Sequence, residues 1–331
     1  MLGSFVIAAL SAAFGTAAQA ESIHGPILGF MRDSSGAVIW PIIGVPGATA
    51  LAGRLQFETD IRGAVISPGQ DYAIALRSDD GSVVVVSLRA DPPTLSPVSG
   101  THPSPGMVAI SPTGSAAAVY DPETQIVQVI GHLPQAPELI HEFHVSDIPG
   151  RATEMALSDD GSIAVVKFAG GNTAGGTELW VVDSSSSWRV GSEGPATAAF
   201  FPNSHDAVVA DEATQSVFLM MNVDQGATRI PLLSAADGLD AFSSVSVSGD
   251  GREVFIADNG SGTVAIVNME TRRPTLASCQ CHPTGFYRLR RNSIFQLTEP
   301  SEDPVTVLDT SSGEPRIFII PPESSEHTTP Q

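Results

Sequence analysis

The sequence predicts an all-β, seven-bladed β-propeller with four antiparallel strands per blade, and three observations carry that expectation. A small polar turn between two apolar strands recurs along the chain. Its copies are spaced as whole four-stranded blades would be. Glycine and proline, 31 and 25 of the 331 residues, punctuate the chain too often for long helices.

Five copies of the turn are clear: Ile66-Ser67-Pro68-Gly69, Ile110-Ser111-Pro112-Thr113-Gly114, Leu157-Ser158-Asp159-Asp160-Gly161, Phe200-Phe201-Pro202-Asn203 and Val247-Ser248-Gly249-Asp250-Gly251. Two weaker ones flank them, at Asp33 in Arg32-Asp33-Ser34-Ser35-Gly36 and near Arg290 in Leu289-Arg290-Arg291-Asn292. Markers at 33, 67, 111, 158, 201, 248 and 290 are separated by 34, 44, 47, 43, 47 and 42 residues.

The strands follow in order. Just before the marker stands a bulky apolar residue (Ile66, Ile110, Leu157, Phe200, Val247), and before that a mostly small one (Ala109, Ala156, Ala199, Ser246, with Val65 the exception). Small side chains suit a strand crowded near a central axis. A second apolar run begins six to eight residues on: Ala73–Ala75, Ala117–Val119, Ala164–Val166, Ala207–Val209 and Val254–Ile256. Third strands are expected at Val83–Val86, Ile126–Ile130, Leu179–Val182, Val217–Met220, Val264–Val267 and Val305–Leu308. A less regular fourth leads into the next unit. Both faces of these runs are apolar, as in sheets packed between neighbouring sheets. A two-sheet sandwich would explain short strands but not seven aligned turns.

The stretch Ser244 to Asn268, with its Ser248-Gly249-Asp250-Gly251 turn and its Gly262-Thr263-Val264 entry into the next strand, resembles the β-propeller repeat called YVTN. Similar copies run from about residue 60 to 310. The resemblance implies a seven-bladed ring and an extracytoplasmic location. It implies little about activity, because blades of this kind serve surface-layer proteins, lactonase-like enzymes and binding modules alike.

Residues 1–20 carry no charged side chain and end in Ala18-Gln19-Ala20 before Glu21, the small-x-small pattern of a cleaved signal peptide. The expected domain therefore covers 21–321, with 322–331 as a disordered tail. Lys plus Arg is 16 against 36 for Asp plus Glu, a formal charge of −20. Such a balance excludes nucleic acid as the default partner, since neutralising phosphates takes clustered Lys and Arg.

Propeller ligands are expected at the channel mouth, among inter-blade connections and second-to-third-strand loops. Arg62, His102, Arg151, Glu154 and His282 are the ligand-binding candidates, joined by Glu193 and Asp240 in the same class of connection. The loops hold ten carboxylates: Asp79, Asp80, Asp121, Glu123, Asp211, Glu212, Asp258, Glu299, Glu302 and Asp303. They would attract cations or serve simply as turn formers. Cys279 and Cys281, the only cysteines, sit beside His282. A structural disulfide is the expectation, with free thiols or metal and redox chemistry as alternatives. His141 shares a strand face with Leu139, Phe143 and Val145 and reads as a core histidine. The Gly170–Gly176 run lacks the Lys of a phosphate-cradling loop.

The expected function is that of an exported, monomeric binding or protein-interaction module without catalysis or cofactor, taking a protein or a small polar ligand. A propeller enzyme of the lactonase or metal-dependent hydrolase kind is the alternative, and a thiol or metal-redox role at Cys279 and Cys281 is a second.

Overall fold

The computed structural model describes residues 25–170, 176–190, 194, 196–239, 241–289, 292–299 and 304–321. The expected leader, the tail, most of the Gly170–Gly176 run, Glu193, Asp240, Arg290, Glu302 and Asp303 lie outside these residues.

Seven antiparallel sheets succeed one another along the chain. Blade one holds β1 (Ile27–Arg32), β2 (Ile39–Val45) and β3 (Ala48–Leu51). Blade two holds β4 (Ile61–Ile66), β5 (Tyr72–Arg77), β6 (Val83–Ser87) and β7 (Thr94–Pro97), and blade three β8 (Met107–Ile110), β9 (Ala117–Asp121), β10 (Ile126–Gly131) and β11 (Glu138–His144). Blade four follows with β12 (Arg151–Leu157), β13 (Ala164–Ala169), β14 (Thr177–Val182) and β15 (Ser187–Val190), and blade five with β16 (Ala196–Phe200), β17 (Ala207–Asp211), β18 (Ser216–Met221) and β19 (Thr228–Ser234). Blade six is β20 (Phe242–Val247), β21 (Glu253–Asp258), β22 (Thr263–Asn268) and β23 (Pro274–Ser278), and blade seven β24 (Tyr287–Arg288), β25 (Ile294–Gln296), β26 (Val305–Asp309) and β27 (Arg316–Ile320).

Six sheets are four-stranded. The first has three strands, matching the shortest marker spacing, and its chain runs on beside β2 with the Leu55 N–H on Ile39 O at 2.8 Å. The second and third strands fall where the apolar runs placed them.

Strand alternation explains the core. Within β13, Ala164, Val166 and Phe168 pack toward blade three while Ile163, just before it, and Val165 pack toward blade five. Each sheet thus feeds two interfaces, and seven apolar clusters fill the seven gaps between blades. The ring closes where Leu28, Met31 and Ile42 of blade one meet Leu289, Ile294 and Val305 of blade seven.

The marker turn is a repeated hydrogen-bonded device. The marker N–H donates to the carbonyl five residues on: Ser67 to Tyr72, Ser111 to Ala116, Ser158 to Ile163, Phe201 to Asp206, Ser248 to Glu253. The serines are fully buried, and their Oγ atoms accept the returning strand's N–H, as at Tyr72, Ala116, Ile163 and Glu253. Asp33 takes this role in blade one, its N–H on Val38 O. In blade seven the same bond runs from Leu289 to Ile294, so the seventh marker is Leu289, one residue earlier than Arg290.

His141 is a correction of another kind. It lies half-buried on β11, the outermost strand of its sheet, stacked on Phe143 at 6.2 Å, while a register shift between Val129 and Ile130 in β10 separates it from Leu139.

Candidate functional site

The innermost strands β1, β4, β8, β12, β16, β20 and β24 all line one axial cavity of about 320 Å³. The small column predicted two residues before each marker, Val65, Ala109, Ala156, Ala199 and Ser246, faces this bore. Small side chains there leave the space open.

The turn end of the bore is crossed by side chains. Arg288 reaches from blade seven to Pro112 O of blade three (3.0 Å) and Val247 O of blade six (2.6 Å). Its Nε has no hydrogen-bond partner among the described residues. Burial pulls the guanidinium down to about 10 against the fields of Asp159 and Asp250, so it is cationic at neutral pH. Gln70, itself buried, donates to Arg288 O (2.6 Å) and accepts the Phe30 N–H (2.5 Å), tying blade two to blades seven and one. Arg32 lies with its guanidinium 5.7 Å from the ring centre of Tyr287, whose hydroxyl donates to Glu299 at 3.1 Å. Burial and then the Glu299 charge raise the Tyr287 phenol.

None of Arg62, His102, Arg151, Glu154 and His282 is among the residues lining the cavity. Arg62 reaches the connection that carries His102. Arg62 Nη2 donates to Ser104 Oγ at 3.0 Å, and His102 Nδ1 sits 2.7 Å from Asp121 Oδ2 while its backbone N–H donates to Gln128 Oε1 at 2.6 Å. Asp121 is partly desolvated, but hydrogen bonds from Thr124, the Glu123 N–H and His102 hold its carboxyl at about 2. Arg151 and Glu154 share β12, where a bulge between Ala152 and Glu154 re-aims the strand. Arg151 is exposed, and Glu154 is held by Lys167 Nζ at 3.2 Å and by the Thr197 hydroxyl. His282 is exposed on the link between blades six and seven, Nδ1 3.3 Å from Asn259 O.

The loop carboxylates act mainly as turn formers. Asp121, Asp211 and Asp258 each end the second strand of a blade and accept the N–H two residues on, from Glu123, Ala213 and Gly260. Asp79 pairs with Arg77 at 2.5 Å. Among the described residues, no group of three or more His, Cys, Asp or Glu could hold a metal ion.

Cys279 and Cys281 are joined in a disulfide. Cys279 is buried in the cluster between blades six and seven with Phe255 and Phe295, so the bridge stiffens the inter-blade link and packs against the core.

A second polar cluster lies on the turn face. His205 stands between Asp160 (Nε2 to Oδ2, 2.9 Å) and Asp224 (Nδ1 to Oδ2, 3.3 Å). Burial disfavours the imidazolium, yet the hydrogen bonds to Asp160 and Asp224 outweigh it and raise the pKa. Asp159 accepts the N–H of Thr113 (2.7 Å) and of Asn203 (2.6 Å), joining the turns of blades three, four and five.

This geometry defines the class: a seven-bladed β-propeller whose inner strands enclose a partly polar bore. Solved structures of similar architecture include a functionally unknown protein from Desulfotomaculum acetoxidans (TM-score 0.57, 14% identity, 87% of this chain and 96% of that one). The WD40 repeats of RRP9 are also similar (TM-score 0.52, 11% identity, 88% and 86%), as is the nidogen/laminin complex (TM-score 0.50, 12% identity, 73% and 91%). At such identities the likeness is one of fold alone. It accords with the YVTN-type resemblance at the level of the ring. No protein-family model and no curated protein sequence matches the chain.

Of the polar bore residues, Glu299 was expected among the loop carboxylates, whereas Arg32, Gln70, Tyr287 and Arg288 were not. A signal for two of them existed. With the seventh marker at Leu289, Arg32 and Arg288 occupy the same column of the repeat, where blades two to six carry Ile66, Ile110, Leu157, Phe200 and Val247.

Proposed function

We propose that the protein is an exported, non-catalytic binding module that engages a protein or a small polar ligand at the channel. The axial cavity carries this reading: it is concave and joins apolar wall to a few convergent polar groups, the usual make-up of a ligand site. The charge-free segment ending in Ala18-Gln19-Ala20 and the disulfide both suit export to an oxidising compartment. No helix among the described residues is long and apolar enough to cross a membrane. In this reading Arg62, His102, Arg151, Glu154 and His282 form the rim that a partner meets before the bore.

The test is to express the full chain with its leader in a bacterial host, sequence the mature amino terminus and screen the purified protein by thermal shift against small polar molecules. Cleavage near Glu21 and a ligand whose shift shrinks in an Arg62→Ala, His102→Ala double variant are the expected results. Retention of the leader, or turnover of lactones or esters by the purified protein, overturns the reading.

A further inference from the structure

We infer that the bore is a site for a small organic anion, a monocarboxylate with an apolar body, whose carboxylate is held by Arg32 and Arg288. This rests on the binding-module reading and specifies its ligand class.

The two arginines end neighbouring inner strands at equivalent positions of the repeat, so their guanidiniums enter the same end of the bore. Neither meets a carboxylate among the described residues. Among the described residues Arg32 donates to the carbonyls of Asp33 (3.0 Å) and Ser34 (3.4 Å), and Arg288 to those of Pro112 and Val247. Elsewhere on the chain, Arg77, Lys167 and Arg189 each have a carboxylate partner, in a protein with twenty more acidic than basic groups. Arg288 is desolvated with the fields of Asp159 and Asp250 but no direct ion pair among the described residues, and part of that desolvation cost is recovered when an anion joins it. Guanidinium is also the group best shaped for a carboxylate, because its parallel N–H donors match the two oxygens.

The rest of the cavity specifies the other end of the ligand. Glu299 is the only other charged residue lining it among the described residues, and its carboxylate accepts the Tyr287 hydroxyl beyond β25, toward the loop face. Among the residues lining the bore, with Asp159 and Asp250 acting on Arg288 from outside the lining, the positive charges thus stand at its turn end and the negative one toward its loop end. Between them, Val108, Met155, Ala198 and Val245 offer an apolar wall. An inorganic oxyanion would satisfy the arginines and leave that wall unused, whereas an alkyl carboxylate uses both.

Calorimetric titration of the mature full-length protein with straight-chain carboxylates from propionate to octanoate tests this. The expected result is one site whose affinity rises about fourfold per added methylene, from about 0.8 kcal/mol per buried CH₂. Hexanamide and hexylammonium should bind at least tenfold more weakly than hexanoate. Arg32→Gln should cost hexanoate at least tenfold and leave hexanamide unchanged, and Arg32→Lys should restore part of the loss. Arg32 contributes to ring closure only its cation–π contact with Tyr287, so Arg32→Gln should lower the melting temperature only slightly, and the unchanged hexanamide affinity separates lost anion binding from lost folding. The inference is overturned if no acid in the series binds, if hexanamide or inorganic phosphate matches hexanoate, or if Arg32→Gln leaves hexanoate affinity unchanged. Binding of hexylammonium in preference would remove the anion class and keep the module reading, whereas ester or lactone turnover would remove the non-catalytic reading and leave the anion site standing.

Discussion

Truncating Phe255 to alanine tests whether blade interfaces carry the stability of the ring. Phe255 is fully buried on β21, its ring 4.5 Å from that of Phe295 on β25 and 6.0 Å from that of Phe286 in the link between the two blades. Phe286 and Phe295 meet edge-on at 5.7 Å, so three rings form a triangle across the gap between blades six and seven. Removing a buried phenylalanine costs about 3–5 kcal/mol in transfer and cavity terms. Two tilted ring contacts, worth roughly 0.5–1.5 kcal/mol each beyond area, place Phe255→Ala in the upper half of that range. That is a large share of the roughly 5–15 kcal/mol that holds an ordinary domain folded. Urea unfolding followed by tryptophan fluorescence should show a lower midpoint with an unchanged slope and a single transition, because each sheet serves two interfaces and no blade has a private core. A loss below about 1.5 kcal/mol, or a second transition in which two blades melt alone, would falsify this account of the interface.

Three further outcomes are expected. His205 is clamped by two carboxylates, and its raised pKa means that its contribution is complete below the unfolded value of about 6.5 and fades as pH rises through the folded value; Asp160 and Asp224, both lowered, contribute above their unfolded value of about 3.8 and lose that contribution as pH falls toward their folded values. The clamp is thus complete between about pH 4 and 6.5, and since these groups are a third or more exposed it is worth only about 1 kcal/mol; His205→Gln should remove the excess of urea midpoint at pH 5.5 over pH 8.5, and an unchanged excess would rule the clamp out. Gly36 has φ +65° and a Cβ there would lie 2.2 Å from the Ala64 nitrogen, in the turn that hydrogen-bonds blade one to blade two, so Gly36→Ala should cost roughly 1–3 kcal/mol in backbone strain alone; a thermal midpoint equal to wild type would contradict this. The Cys279–Cys281 bridge closes a loop of three residues, for which chain entropy gives only about 1.5 kcal/mol, so a double Cys→Ser variant should stay folded with a modestly lower urea midpoint, and collapse of the ring would show that the bridge does more.

The ring was legible because one hydrogen-bonding device repeats. A buried serine that must cap a returning strand leaves a fixed mark, and the apolar runs behind it must alternate because each sheet faces two neighbours. The short first sheet was foreshadowed by the 34-residue step between Asp33 and Ser67. The bore was less legible. Arg288 acts by reaching across the ring to Pro112 and Val247, a distance that repeat spacing does not encode. Placing the last marker at Arg290 also set Leu289 in the column where Arg288 belongs, concealing its match with Arg32. The rim candidates sit where inner strands begin or on the connections leading to them, and they spend polar groups on neighbours: Arg62 on Ser104, His102 on Asp121, His282 on Asn259.

Among the described residues each sheet is drawn from one uninterrupted stretch of chain, so the first and last blades meet without exchanging a strand. The circle is fastened by a clasp of side chains, Leu28, Met31 and Ile42 against Leu289, Ile294 and Val305, with Gln70 as its pin. Opening the clasp breaks no sheet. A chain emerging from its amino terminus could therefore stack wedge upon wedge as it appears, leaving only this joint to be made at the end.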